Sequence, residues 1–138
     1  MFLLDTNVVS ELRKIGTSRA DNRVASWARQ LDASTAYVSV VTLLELEIGV
    51  QRKERNDPRQ GTVLRRWLKE KVLLEFDRRI LPIDQAVVQR CASLHVPNPR
   101  SFRDSLIAAT ALVHGMTVAT RNVEDFAGTG ASLLNPWR

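Results

Sequence analysis

Cysteine and histidine are scarce in this chain, which narrows the chemistry that it can perform. Cys91 is the single cysteine, so no internal disulfide can form. The two histidines, His95 and His114, do not combine with one thiol to give the ligand spacing of a zinc site. Cys91 also falls at helical spacing with Val87 and Leu94, which favours a core position over a catalytic thiol. The sequence therefore favours chemistry that needs neither a thiolate nor zinc.

Long apolar runs, repeats and low-complexity tracts are also missing. The longest apolar segments, such as residues 37–44, are far shorter than the ~20 residues that a membrane-spanning helix needs. The first apolar residues lack a preceding basic segment and are interrupted by Asp5, which argues against a secretory signal. A chain of 138 residues with 44% hydrophobic residues is the size and composition of one globular domain. We therefore expect a cytoplasmic protein with a single domain over residues 1–138.

The charge of the chain is basic and unevenly distributed. Lysine and arginine total 20 against 15 acids, which gives a formal net charge of +5 and favours polyanionic partners. Ten of the basic residues lie between Arg52 and Arg79, where there are five acids. This segment is either a surface that contacts phosphates or the ordinary solvated face of helices, and the sequence leaves both interpretations open.

Short apolar runs alternate with amphipathic helical patterns along the chain. Helical spacing of apolar residues is found around residues 24–31, 41–55, 63–72, 87–94 and 101–115. Strands are predicted at residues 2–4, 36–39, 80–83 and 117–120, and Leu133 and Leu134 can add a last strand. Strands separated by helices form βαβ units, so we predict an α/β/α sandwich with a central parallel sheet of four to five strands.

Four acids lie close to the predicted strand ends. Asp5 follows the first strand, and Glu45 lies in the first turns of the helix after the second. Asp104 begins the helix before the fourth strand, and Asp125 follows that strand. Ligands of open parallel sheets bind outside the carboxyl ends of the strands, where these acids can gather. Asp104 reaches that edge only if the loop of residues 97–103 brings the start of its helix there.

Each acid also has a purely structural interpretation. Asp5 can cap a helix, and both Thr42-x-x-Glu45 and Ser101-x-x-Asp104 match the capping-box pattern. Taken together, however, the acids suit a hard divalent cation, which prefers oxygen ligands. Such a cation can orient and deprotonate water for phosphodiester hydrolysis.

Four segments of the sequence resemble the motifs of PIN-domain ribonucleases, and most closely those of the VapC and FitB toxins of bacterial toxin–antitoxin pairs. The order, spacing and total length of the motifs match over nearly the whole chain. The segments are Leu4-Asp5-Thr6-Asn7-Val8-Val9-Ser10-Glu11-Leu12, Leu43-Leu44-Glu45-Leu46-Glu47-Ile48-Gly49, Arg103-Asp104-Ser105-Leu106-Ile107-Ala108-Ala109-Thr110-Ala111 and Thr120-Arg121-Asn122-Val123-Glu124-Asp125-Phe126.

This resemblance implies a PIN fold and an endoribonuclease that depends on Mg²⁺ or Mn²⁺. It also implies a homodimer and a small antitoxin partner with a DNA-binding domain, through which alone the toxin meets operator DNA. The antitoxin is expected to send an arginine toward the acids. By position, Asp5, Glu45 and Asp104 match the invariant acids of the family, and Asp125 matches a more variable fourth.

Polar residues beside these acids complete the predicted site. Asn122 holds a position that is an acid in some relatives, and Glu124 adjoins Asp125. Which of these three residues completes the site stays open. The supporting polar residues are Thr6, Asn7, Thr120 and Asn122.

Two rival functions are less consistent with the sequence. A haloacid-dehalogenase-like phosphatase would resemble Asp-x-Asp-x-Thr after the first strand, but this chain has Asn7 and Val9 at the second and third of those positions. A non-catalytic nucleic-acid-binding module would explain the basic helices. It would leave four carboxylates without a role and close enough to repel nucleic acid.

Overall fold

A five-stranded, fully parallel sheet forms the centre of the computed structural model, which describes residues 1–138. The spatial order of the strands is β3-β2-β1-β4-β5. The predicted parallel sheet is therefore confirmed, and the optional fifth strand is present. The strands are β1 (Phe2–Leu4), β2 (Ala36–Ser39), β3 (Ile80–Leu81), β4 (Thr117–Ala119) and β5 (Ser132–Leu134).

Helices flank this sheet, and most of them match the apolar periodicity of the sequence. The fourth helix begins at Pro58, five residues before the pattern of residues 63–72, because Asp57 caps it and proline suits a first helical turn. The fourth helix continues through a π-helical turn, Leu68–Val72, into a short fifth helix. No helix combines the length and the apolar character that crossing a membrane requires. The helices are α1 (Thr6–Leu12), α2 (Asn22–Gln30), α3 (Val40–Asn56), α4 (Pro58–Trp67), α5 (Leu73–Glu75), α6 (Gln85–Leu94) and α7 (Phe102–His114).

The two faces of the sheet are buried against different helices. Successive strand residues point to opposite faces, so Leu4 packs with α1 and α3 residues such as Val8 and Val50, whereas Leu3 packs with α7 residues such as Ile107. All of these side chains are fully or almost fully buried. This burial on both faces is the pattern expected of a parallel sheet between helices.

The order of the strands reverses at β1. From β1 the chain adds β2 and β3 on one side, and later adds β4 and β5 on the other. A crevice forms outside the carboxyl ends of the strands at such a switch point. Asp5 and Thr120, which directly follow β1 and β4, lie at this crevice.

Some local predictions were wrong. Thr42 does not cap α3, because the helix begins at Val40 and the hydroxyl of Ser39 caps it by accepting from the backbone N–H of Val41. β2 ends at Ser39 and α3 begins at Val40, so no loop residues mark the start of the helix in the sequence. The apolar pattern of residues 101–115 also predicts a buried Val113, but this residue is 38% exposed near the end of α7.

Candidate active site

Asp5 is the buried centre of the candidate site. Its side chain is 1% exposed and caps α1, accepting the backbone N–H of Thr6 at 2.8 Å. The other carboxylate oxygen accepts the hydroxyl of Thr120 at 2.8 Å, which links the ends of β1 and β4. The capping interpretation and the site interpretation of Asp5 are therefore compatible. A carboxylate buried this deeply must be held by hydrogen bonds or opposite charge.

Glu45 reaches the same crevice from the second turn of α3. Its Oε1 accepts the hydroxyl of Thr6 at 2.5 Å, so α1 and α3 are joined at the site. Its Oε2 accepts from Nε of Arg103 at 2.6 Å. Glu45 and Asp5 therefore share two contacting residues, Thr6 and Arg103, although 40 positions separate the two acids in the sequence.

Asp104 lies in the first turn of α7, and the loop before this helix places it near the other acids. Ser101 caps this helix by accepting the backbone N–H of Asp104 at 3.3 Å, which confirms the predicted cap. His95, the residue after α6, makes two contacts that hold the loop and the start of α7. Its Nε2 lies 2.8 Å from the hydroxyl of Ser105 in α7, and its Nδ1 accepts the backbone N–H of Arg100 in the loop. This loop brings the start of α7 to the crevice, as the predicted convergence of the acids requires.

Arg103 joins the three acids into one cluster. Its Nη2 donates to Asp5 Oδ1 at 2.5 Å, its Nε to Glu45 Oε2 at 2.6 Å, and its Nη1 to Asp104 Oδ1. Three different nitrogens of one planar guanidinium thereby bind three carboxylates. We call Asp5, Glu45, Asp104 and Arg103 the acid–arginine cluster.

An arginine was expected at this place, but from a partner protein. Arg103 was missed although it adjoins Asp104 in the quoted motif. One feature of the sequence could have indicated its role. A cation in the first turn of a helix is unfavourable next to the positive end of the helix dipole, so an arginine at that position indicates that acids lie nearby.

The charges of the cluster shift the protonation equilibria of its members. Partial burial alone would raise the pKa of Glu45, but hydrogen bonds from Arg103 and Thr6 outweigh burial and lower it. Burial would likewise lower the pKa of Arg103, but the hydrogen bonds and charges of Glu45 and Asp5 raise it above its ordinary range. Both shifts favour the charged forms, so the cluster is ionic.

The predicted polar neighbours fall into two groups. Thr6 and Thr120 donate to the cluster as described, and the side-chain amide of Asn7 lies 3.5 Å from both Asp5 Oδ2 and the Thr120 hydroxyl. Asn122 is exposed and touches the site only indirectly, through its backbone N–H, which donates to the Thr120 hydroxyl at 3.0 Å. The structure thus brings three of the four predicted neighbours to Asp5.

Asp125 lies apart from the cluster. It occupies the 3₁₀ turn Val123–Phe126 after β4, where its side chain and that of Glu124 are exposed. Neither side chain forms a hydrogen bond or ion pair with the acid–arginine cluster. The prediction that Asp125 belongs to the site stays a prediction.

The three carboxylates of the cluster and the adjoining hydroxyls of Thr6 and Thr120 offer only oxygen atoms, which suit a hard divalent cation. In this structure no group of three or more acids, histidines or cysteines is arranged so that it could hold a metal ion, and Arg103 is bound to all three of these acids. The side chains supply suitable donor atoms, but a cation shared by the three acids would have to displace Arg103.

The basic segment of residues 52–79 is partly committed to internal contacts. Arg65 donates to Glu54 and Glu47 at 2.9 Å each, and Arg79 donates to backbone carbonyls including that of Ala36 at 2.5 Å. The other eight basic side chains of the segment are exposed. A phosphate-contacting surface would have to be built from those eight.

Comparison with known proteins identifies the family. The family model described as "PIN domain" matches residues 2–130. The VapC ribonuclease Y4jK of Sinorhizobium fredii is 35% identical over 142 residues, covering 99% of this chain and 98% of its own. Toxin FitB of Neisseria gonorrhoeae is 35% identical over 147 residues, covering 99% of both chains.

A solved structure of FitAB bound to a DNA fragment extends the similarity to three dimensions. Its matching chain has a TM-score of 0.89 and 33% identity, covering 100% of this chain and 96% of its own. The sequence motifs, the parallel sheet and the convergence of acids agree with these matches. The chain therefore belongs to the PIN-domain family, in the group that includes the VapC and FitB toxins.

Proposed function

We propose that this protein is a divalent-metal-dependent endoribonuclease that acts as the toxin of a toxin–antitoxin pair in the cytoplasm, through one domain over residues 1–138. The observation that carries this proposal is the convergence of Asp5, Glu45 and Asp104, from three separate elements, at the switch point of the sheet. The name of the Sinorhizobium relative, a VapC ribonuclease, supports the same reaction.

Asp5, Glu45 and Asp104 would hold the cation, and Asp125 in the 3₁₀ turn is the proposed fourth acid. PIN-domain ribonucleases generally use a divalent metal, and Mg²⁺ or Mn²⁺ suits an all-oxygen donor set. When bound, such an ion supplies charge that activates water and screens the phosphate. Thr6 and Thr120 orient the carboxylates, and the burial of Asp5 excludes bulk water from the inner side of the site.

RNA cleavage by the isolated chain tests this proposal. The protein, purified free of any partner, should cleave RNA with millimolar Mg²⁺ or Mn²⁺ and lose that activity in EDTA. Activity that is indifferent to both metals and to EDTA would contradict the proposed metal site. RNA bound but never cleaved would favour the non-catalytic nucleic-acid-binding module.

We further propose a small antitoxin with a DNA-binding domain as partner, since the similar FitB chain was solved within a FitAB complex bound to DNA. An apolar groove of about 510 Å³ between α1, α2 and the α4–α5 segment offers a seat for an amphipathic segment of such a partner. Its walls include Leu12, Ala28, Leu31 and Trp67. Exposed Leu44 and Ile48 on α3 form a separate apolar face that suits a homodimer contact.

A substitution that blocks this groove should prevent inhibition by the antitoxin without changing RNA cleavage. Ala28→Arg places a long charged side chain in the groove, so it should weaken capture of the small protein encoded next to this one by about tenfold or more. Binding is measured by calorimetry and inhibition by RNA cleavage, and cleavage by the free variant should be unchanged.

Ala92→Arg makes the same change on an exposed position of α6 outside the groove, and it serves as the control. Equal loss of capture in both variants would argue against the groove. A neighbouring protein that neither binds nor inhibits this chain would overturn the toxin proposal and leave the ribonuclease proposal standing.

A further inference from the structure

We propose that Arg103 is an internal competitor of the divalent cation, so that cation binding requires the guanidinium to withdraw from the acid–arginine cluster. This inference rests on the proposed function. It gives Arg103 a gating role toward the metal, within the same chain.

The evidence lies in which carboxylate oxygens are engaged. Asp5 Oδ2 and Glu45 Oε1 accept hydroxyls of the protein, from Thr120 and Thr6. The oxygens that Arg103 holds are Asp5 Oδ1, Glu45 Oε2 and Asp104 Oδ1. Arg103 therefore occupies one oxygen of each of the three acids. A cation shared by all three acids would have to displace the guanidinium that now links them.

The charge balance makes the exchange possible. One guanidinium neutralises one of the three carboxylate charges, whereas a divalent cation neutralises two. The cation therefore has the larger Coulombic attraction at equal distance. Arg103 has a different advantage over the cation. It is part of the same chain and adjoins Asp104, so its effective concentration at the site is high.

Arg103 is also free to leave the cluster. Its side chain is 31% exposed, compared with 1% for Asp5, so it lies at the solvent side of the cluster. All its hydrogen bonds in the structure go to the three acids and to Thr6 Oγ1, with none to a backbone carbonyl. Withdrawal therefore breaks contacts within the site only.

A competitor in the same chain lowers the apparent affinity for the cation by the fraction of molecules in which the site is open. Arg103→Gln removes the competitor, so we expect it to bind Mn²⁺ about tenfold more tightly than the wild type, or better. Without metal the variant should melt at a lower temperature, because three neighbouring carboxylates then repel one another. Added Mn²⁺ should raise its melting temperature more than that of the wild type.

Calorimetric titration of the partner-free full chain with Mn²⁺, together with melting in EDTA, tests the proposal. Arg100→Gln is the matched control, since it removes the same charge three residues earlier, in the loop before α7, where Arg100 donates to the carbonyl of Ala127 and not to the acids. It should bind Mn²⁺ as the wild type does. Arg103→Lys keeps the charge but places it on a single nitrogen, which lacks the three separated donor nitrogens of the guanidinium. We therefore expect an affinity between those of the wild type and Arg103→Gln, and this variant serves if Arg103→Gln does not fold.

The outcomes separate this inference from the proposed function. If Arg103→Gln and Arg103→Lys bind Mn²⁺ no more tightly than the wild type, while Asp5→Asn loses binding, Arg103 is not a competitor and the metal site stands. If no form binds Mn²⁺ and the wild type does not cleave RNA, both proposals are wrong.

Discussion

Asp5→Asn should reduce RNA cleavage on the order of 10²–10³-fold, the scale seen when one preorganised electrostatic group is removed from an active site. The substitution keeps the volume of the side chain and leaves an oxygen that can still cap α1, so the fold should persist. It removes the most deeply buried negative charge of the site, the one that Thr120, Thr6 and Arg103 all contact. A neutral amide cannot replace that charge toward a cation.

Cleavage of a defined RNA under single-turnover conditions gives the ratio of rates, and thermal melting checks the fold. Asp77→Asn provides the control, because Asp77 is an exposed carboxylate in the turn after α5, away from the sheet's carboxyl edge. It should retain wild-type rates. An active Asp5→Asn would refute the assignment of Asp5, and an inactive Asp77→Asn would show that the assay reports damage to the fold.

The order of elements and the gathering of three of the four candidate acids were predictable because they depend on local patterns. The helical spacing of Val87, Cys91 and Leu94 predicts α6, and Cys91 is indeed buried. Asp5 was predictable because a polar residue after a buried strand of a parallel sheet lies at the binding edge. The convergence of Glu45 and Asp104 on it follows from the same rule, once the loop before α7 is allowed to turn toward that edge.

The role of Arg103 was not predictable from local pattern. Whether a surface arginine points to solvent or into a site depends on residues distant in sequence, and Asp5 and Glu45 lie 98 and 58 positions away from it. The basic segment shows the same limit. Arg65 has the pattern of a solvated helix residue, yet it bridges Glu47 and Glu54 on the adjoining helix.

The contact between α3 and α4 matters for the site because α3 carries Glu45. The two helices approach closely at Gly61, where an added Cβ would lie 2.7 Å from the backbone nitrogen of Glu54 and closer still to its Cα. Only glycine fits there without a backbone shift. The same contact allows Arg65, one helical turn further along, to reach Glu54.

Gly61→Ala should therefore destabilise the protein by about 3 kcal/mol, the upper end of the usual cost of overpacking, because the clash is with backbone and not with a flexible side chain. Gly49→Ala is the matched control: Gly49 also lies inside a helix, α3, but an added Cβ meets nothing within 4 Å. There alanine should stabilise by about 0.5–1 kcal/mol through its better helix propensity. Urea unfolding of both variants measures the two changes. Opposite signs would establish that the helix contact at Gly61, and not the loss of a glycine as such, holds α3 in place, whereas a stable Gly61→Ala would mean that α3 and α4 can separate without cost.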